Sequence, residues 1–169
     1  MSLISETIVG GGGAANITFS AIPGTFRHLQ IFWVGRSDQA GAQAIKMQFN
    51  ADTAGNYDYQ DLLTNHTTVA GAASVAQTKM RCGAIPGTGA PADAMGGGTI
   101  TIPYYATTTE DKLFTAQSWR SDGTAQGNQN MDFNAGAWRT SGSAITQVVI
   151  VPDAGNFVAN SSFSLYGIT

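Results

Sequence analysis

Hydrophobic side chains in this chain recur at every second position over short stretches, and few windows place them three and four residues apart. That is the period of a pleated strand with one covered face, not of a helix. Gly, Pro, Asn and Asp bound the stretches, as expected where the chain must turn between strands. The pattern predicts strands at residues 3–9, 16–20, 28–37, 43–50, 74–84, 99–105, 112–121, 130–138, 146–151 and 162–168. Short strands with no alternating helices leave no crossovers for a parallel sheet. The expected fold is therefore all-β, an antiparallel two-sheet sandwich of the jelly-roll type. An immunoglobulin topology is the competitor, but with one cysteine, Cys82, the chain lacks the Cys…Trp…Cys arrangement.

Individual stretches sharpen this picture. In HLQIFWVGRS, Leu29, Ile31 and Trp33 fall on one face and Phe32 and Val34 on the other, which predicts a central strand covered on both sides. The closing SSFSLYGIT alternates Phe163 and Leu165 with Tyr166 and Ile168, so the C-terminus is expected to be tied into a sheet. NYDYQDLLTN fits a helical turn through Tyr59, Leu62 and Leu63 as well as a strand through Tyr57, Tyr59, Asp61 and Leu63. The phrases AIPGT, RSD and AGN each occur twice at unequal offsets, so they read as a turn vocabulary and not as a duplication. The glycine runs at 10–13 and 96–98 connect strands within one domain, residues 1–169. Residues 1–13 are a candidate N-terminal arm, with Leu3, Ile4, Ile8 and Val9 as its interface residues.

Composition adds a constraint on partners. Charged residues make up 11% of the chain, against roughly 25% in an average domain. So bland a surface points to a protein that packs against copies of itself or other proteins. With eight Lys and Arg in total and a net charge of −3, the chain lacks the basic field that nucleic acid demands. No apolar run approaches the ~20 residues of a membrane-spanning helix, and Glu6 stands where an export signal is basic. Neither membrane nor nucleic acid is an expected partner, and synthesis in a cytoplasm is.

The chemistry-bearing residues form no recognisable catalytic set. The glycine runs are not followed by Lys-Ser or Lys-Thr, and G-x-S-x-G is missing. His28 and His66 have no second ligand at a metal-binding spacing. Asp52 and Asp58 flank Asn56 and offer several oxygens to calcium, but Asx turns explain the same residues. Glu110 and Asp111 read as an exposed hairpin tip. The chain is expected to be no enzyme and to need no cofactor. A carbohydrate site is the one binding alternative. Tyr104, Tyr105, Trp119 and Trp138 supply flat faces, and Asp122, Asn128 and Asn130 supply hydrogen-bonding groups. Core packing of those aromatics is the competing reading.

Five phrases in order along the chain, LISETIV, ITFSAIPGTFRHLQI, RSD, FNADTAGNYDYQ and AGNFVANSSFSLYGI, span nearly its whole length. Together they resemble a group of tailed-bacteriophage virion proteins. The resemblance implies a small β-sandwich on the virion surface: a capsid decoration (cement) protein, a head-fibre component or a tail-associated module. Its implied partners are the major capsid protein or another virion protein, and copies of itself in a homotrimer. No catalytic residues attach to these phrases. A tail-fibre or head-fibre module binding host-surface carbohydrate is the alternative.

Overall fold

The computed structural model describes residues 1–65, 67–123, 129–140 and 142–169. Among these, twelve strands form and no helix: β1 (Ser2–Ile8), β2 (Ile17–Phe19), β3 (His28–Gly35), β4 (Gln43–Phe49), β5 (Tyr57–Asn65), β6 (Thr68–Gln77), β7 (Met80–Ile85), β8 (Gly96–Pro103), β9 (Lys112–Ser121), β10 (Gln129–Trp138), β11 (Val148–Pro152) and β12 (Ser162–Ile168). A large sheet runs β1-β12-β3-β8-β9-β10-β5-β6 and a small one β2-β11-β4-β7. Every pairing is antiparallel.

The strand order identifies the architecture. When the hairpins β5-β6 and β9-β10 are set aside, the eight remaining strands, renumbered in chain order, form sheets 1-8-3-6 and 2-7-4-5. That is the interlocked double Greek key of a jelly roll. The two hairpins are additions that extend one sheet past β8. The small sheet has no matching extension; its edge strand β7 lies against β8, β9, β10 and β5, and β6 projects beyond it.

The core lies between the sheets. Leu29, Ile31, Phe163, Leu165, Ile100 and Ile102 of the large sheet meet Phe19, Ile45, Met47, Phe49, Val148 and Ile150 of the small one. Burial of these side chains, about 25 cal/mol per Å² of apolar surface, is the main source of stability. Trp33 needs space between the layers, and glycine supplies it. A Cβ on Gly98 would lie 2.5 Å from the Gln117 carbonyl oxygen and 2.8 Å from the Trp33 indole. At one end Tyr57 stacks on Trp138, with centroids 6.3 Å apart and planes 16° apart, and Phe49 meets the Trp138 edge at 5.7 Å. Burial there pushes the Tyr57 hydroxyl up to about 12.

Three expectations are corrected. Residues 56–65, ambiguous by pattern, contain β5, and the single strand expected at 74–84 is the end of β6 and most of β7. The ladders of β5 with β10 on one side and with alanine-rich β6 on the other, not intrinsic preference, hold β5 and β6 extended. The strand at 28–35 is covered on one side: Leu29, Ile31 and Trp33 are buried, but Phe32 and Val34 stay exposed. No free arm forms at 1–13 either. β1 pairs with β12, Val9 donates its N–H to the Ser161 carbonyl (2.8 Å) and accepts from Asn160 N (2.9 Å), and Ala14 bridges Phe157. Val9 is a core residue, Ile4 packs against the core, and only Leu3 and Ile8 remain exposed. An N-terminal strand with a ready partner edge gains more from its ladder than from standing free in water.

Candidate functional site on the outer face of the large sheet

Strand alternation that buries one set of side chains must turn the other set outward. On the large sheet that outward set has no described strand packed over it. Register places Phe32 opposite Thr99, Thr99 opposite Gln117, Gln117 opposite Phe133 and Phe133 opposite Leu62, one row across five strands. A second row runs Val34, Gly97, Trp119, Met131. Leu113 continues the apolar surface opposite Ala137. Phe32, Val34, Leu62, Leu113, Trp119, Met131 and Phe133 are all at least 40% exposed. Single exposed apolar residues are ordinary, but this many on one face mark an interaction surface.

The face is also nearly uncharged. Among its outward strand positions only Glu6 and Asp58 carry charge, and Asp58 is engaged by Arg139 at 2.6 Å. Across this face runs a shallow groove of about 840 Å³ floored by β8, β9, β10, β5 and β6. Thr99, Thr101, Thr115, Gln117 and Gln60 line it with Phe133. A second depression of about 480 Å³ adjoins it through Gln60, Ala73, Thr115 and Ala135 and is walled by Leu113 and Val75.

Behind this face, a polar clamp holds the added hairpins to the small sheet. The inward side of β10 carries Asn130, Asp132 and Asn134 where a core strand would carry aliphatic residues. Asp132, only 2% exposed, accepts from Arg81 of β7 at 2.9 Å and lies 3.5 Å from Arg120 of β9. Asp122 accepts from Arg120 Nε (2.9 Å) and from Asn130 Nδ2 (2.8 Å). Asn134 Nδ2 donates to Asp61 at 2.6 Å. Burial raises the Asp61 carboxyl above its ordinary range, opposed by the Asn134 hydrogen bond and by Arg81. Charges taken from water need such partners, so the network determines how β7 meets β9 and β10.

The carbohydrate candidates do not converge. Trp138 is buried, and its Nε1 donates to Asp52 at 2.7 Å. Tyr105 is buried, with its hydroxyl donating to the Pro23 carbonyl. Asp122 spends its oxygens on Arg120 and Asn130. Tyr104 and Trp119 are exposed, but Tyr104 stands beside His28 just past one end of β8, whereas Trp119 pairs with Gly97 at the other. Six to seven residues of extended chain separate them, roughly 20 Å. Asn128 and His66 lie outside the described residues.

The aspartates weighed for calcium face protein donors. Asp52 accepts from Ala54 N (2.8 Å), Asn56 Nδ2 (2.9 Å) and Trp138 Nε1, an Asx turn. Burial works to raise its carboxyl, but these hydrogen bonds together hold it below the usual range. Among the described residues no three His, Cys, Asp or Glu side chains gather as a metal site.

Sequence reasoning missed Phe32, Leu62, Leu113, Met131 and Phe133 as surface residues: it placed Phe32 under a second cover and singled out none of Leu113, Met131 and Phe133. The signal lay in the 112–121 and 130–138 stretches. Both alternate two sets, and apart from Phe114 and Trp138 the set without Leu113, Trp119, Met131 and Phe133 is small or polar, as at Ala116, Ser118, Asn130 and Asn134.

No family model and no curated protein sequence matches this chain. Among solved structures, the galectin LEC-6 of Caenorhabditis elegans is similar at 12% identity, over 97% of this chain and 98% of that one, with a TM-score of 0.37. So loose a likeness has no bearing on function.

Proposed function

We propose that this chain is a non-enzymatic structural protein of a tailed-phage particle, a capsid decoration protein that bridges and stabilises capsomers by seating the outer face of its large sheet on the major capsid protein. The observation that carries the reading is the cluster of exposed, uncharged apolar side chains on that single face. Protein interfaces are depleted of charge at their centres and enriched in Trp, Phe and Met, as this face is. The particle is inferred from the resemblance of the chain's phrases, in their order, to tailed-phage virion proteins. The clamp of Arg81, Asp132 and Arg120 supports the face from behind, which suits a docking surface that must be rigid.

The test is binding of the purified protein to expanded capsids of the phage that encodes it, with its position imaged by electron cryomicroscopy. A variant carrying Trp119→Gln and Phe133→Gln should bind at least tenfold more weakly, since central aromatic anchors are commonly worth about 2 kcal/mol each. Its melting temperature should be nearly unchanged, because neither side chain is in the core. No density for the protein on the capsid, or full binding by the variant, would overturn the reading.

A second reading has one observation in its favour: the groove offers hydroxyl and amide groups of Thr99, Thr115, Gln117 and Gln60 around the Phe133 ring. That combination suits a sugar in a tail-fibre or head-fibre module. Binding to host cell walls or a glycan array, with imaging at the tail, distinguishes it.

A further inference from the structure

The large sheet ends on a strand with unusual properties for an edge. β6, TVAGAASVAQ, contributes its hydrogen-bonding groups to β5 on one side and to no described strand on the other. Nearly every residue in it is exposed, Val69 and Val75 by 64% and 69%. Edge strands are ordinarily protected by charge, proline, shortness or a bulge. β6 has ten residues and neither charge nor proline. Its one irregularity is confined to its end, where Ala76 takes φ 53° and its N–H is capped by Asp58 at 2.8 Å. Residues 69–75 form an unprotected edge.

The order of side chains along that edge says what fits it. Reading outward from Ala72, Gly71 mirrors Ala73, Ala70 mirrors Ser74, and Val69 mirrors Val75. Antiparallel pairing about Ala72 therefore sets small against small and valine against valine. It also keeps faces matched, because residues whose numbers add to 144 share parity, so outward side chains meet outward side chains. The outward valines then join Leu62 of each copy along a continuous outer face.

We propose that β6 is a homodimerisation edge: two copies pair antiparallel through Val69–Val75 about a twofold axis at Ala72, fusing their large sheets into one. A twofold isologous contact requires one self-complementary patch, which β6 is; a threefold ring requires two different patches to meet head to tail. The pair thus takes the place of the homotrimer implied by the phage resemblance as the smallest assembly. Seven residues pair over roughly 24 Å of strand. That is far less surface than the ~1,200 Å² of a stable dimer, so association is concentration-dependent in solution and is reinforced where many copies are held side by side. The pairing rests on the edge alone and not on the particle role, so its failure would leave that role standing.

Cysteine cross-linking tests the axis directly. Opposed residues in an antiparallel pair have Cα atoms about 4.5 to 5.5 Å apart, within reach of a disulfide. Ala72→Cys should give a covalent dimer on mild oxidation, in yield rising with protein concentration. Ser74→Cys is displaced by two residues in each copy, so its thiols lie roughly 14 Å apart and should stay unlinked. The native thiol does not interfere, since Cys82 is buried and burial pushes its pKa up. A third variant, Ala72→Lys, opposes two ammonium groups at the axis and should raise the dissociation constant seen in sedimentation by tenfold or more. Equal cross-linking of both cysteine variants, none in either, or a trimer unaffected by Ala72→Lys would overturn the proposal.

Discussion

Replacing Asp132 with alanine tests whether the polar clamp, and not the apolar core, holds the added hairpins in place. The carboxylate is 2% exposed and sits between Arg81 and Arg120, whose side chains are 21% and 15% exposed. Removing it leaves Arg81 without its partner beneath β10 and Arg120 with only Asp122. Breaking a buried ion pair from one side typically costs 3–5 kcal/mol, and partial solvation of both arginines places this case at the lower end, about 3 kcal/mol. With a urea dependence of about 2 kcal/mol per molar, the unfolding midpoint should fall by about 1.5 M. Arg81→Met should be costly alone but much less so in the Asp132→Ala background, because the charge that lost its partner is gone. The cycle should show a coupling of at least about 1 kcal/mol. Urea titration followed by tryptophan fluorescence measures it, and amide exchange should speed first in β10 and β5. A midpoint shift under about 0.3 M, or simple additivity of the two substitutions, would refute this account.

Two further expectations concern the same layers. Asp61→Asn should raise the urea midpoint at neutral pH, since a carboxyl raised by burial opposes folding wherever it must ionise. The folded-state value lies above the unfolded one, so the native protein gains stability as pH falls through that interval. The gap between variant and parent should therefore close as pH drops through the carboxylate range; a gap independent of pH would contradict it. Gly98→Ala should destabilise by about 1–3 kcal/mol, because the new methyl meets the Gln117 carbonyl and the Trp33 ring. Calorimetry measures it, and an unchanged melting temperature would mean that the Trp33 seat is looser than the distances imply.

Much of the architecture was legible because two-residue alternation is strong where side chains are large. LQIFWV and FSLYGI became β3 and β12 within a residue or two. β6 was not legible in full, since TVAGAASVAQ has too little contrast between its two faces to show a period. Its extended state comes from the ladder with β5. The carbohydrate candidates failed for a related reason. Chain proximity groups Trp119, Asp122 and Trp138, but a pleat sends Trp119 outward while Trp138 faces the core.

Alternation in the chain determined that the protein would be built from pleated layers, and its sparse charge determined that one surface would be bland. Neither could say which half of each alternating set would be covered, because a strand with large side chains on both faces reads the same whether one neighbour or two lie over it. That choice belonged to the tertiary structure. With four strands to cover eight, the small sheet hides one face of the large sheet and leaves Phe32, Trp119 and Phe133 in water.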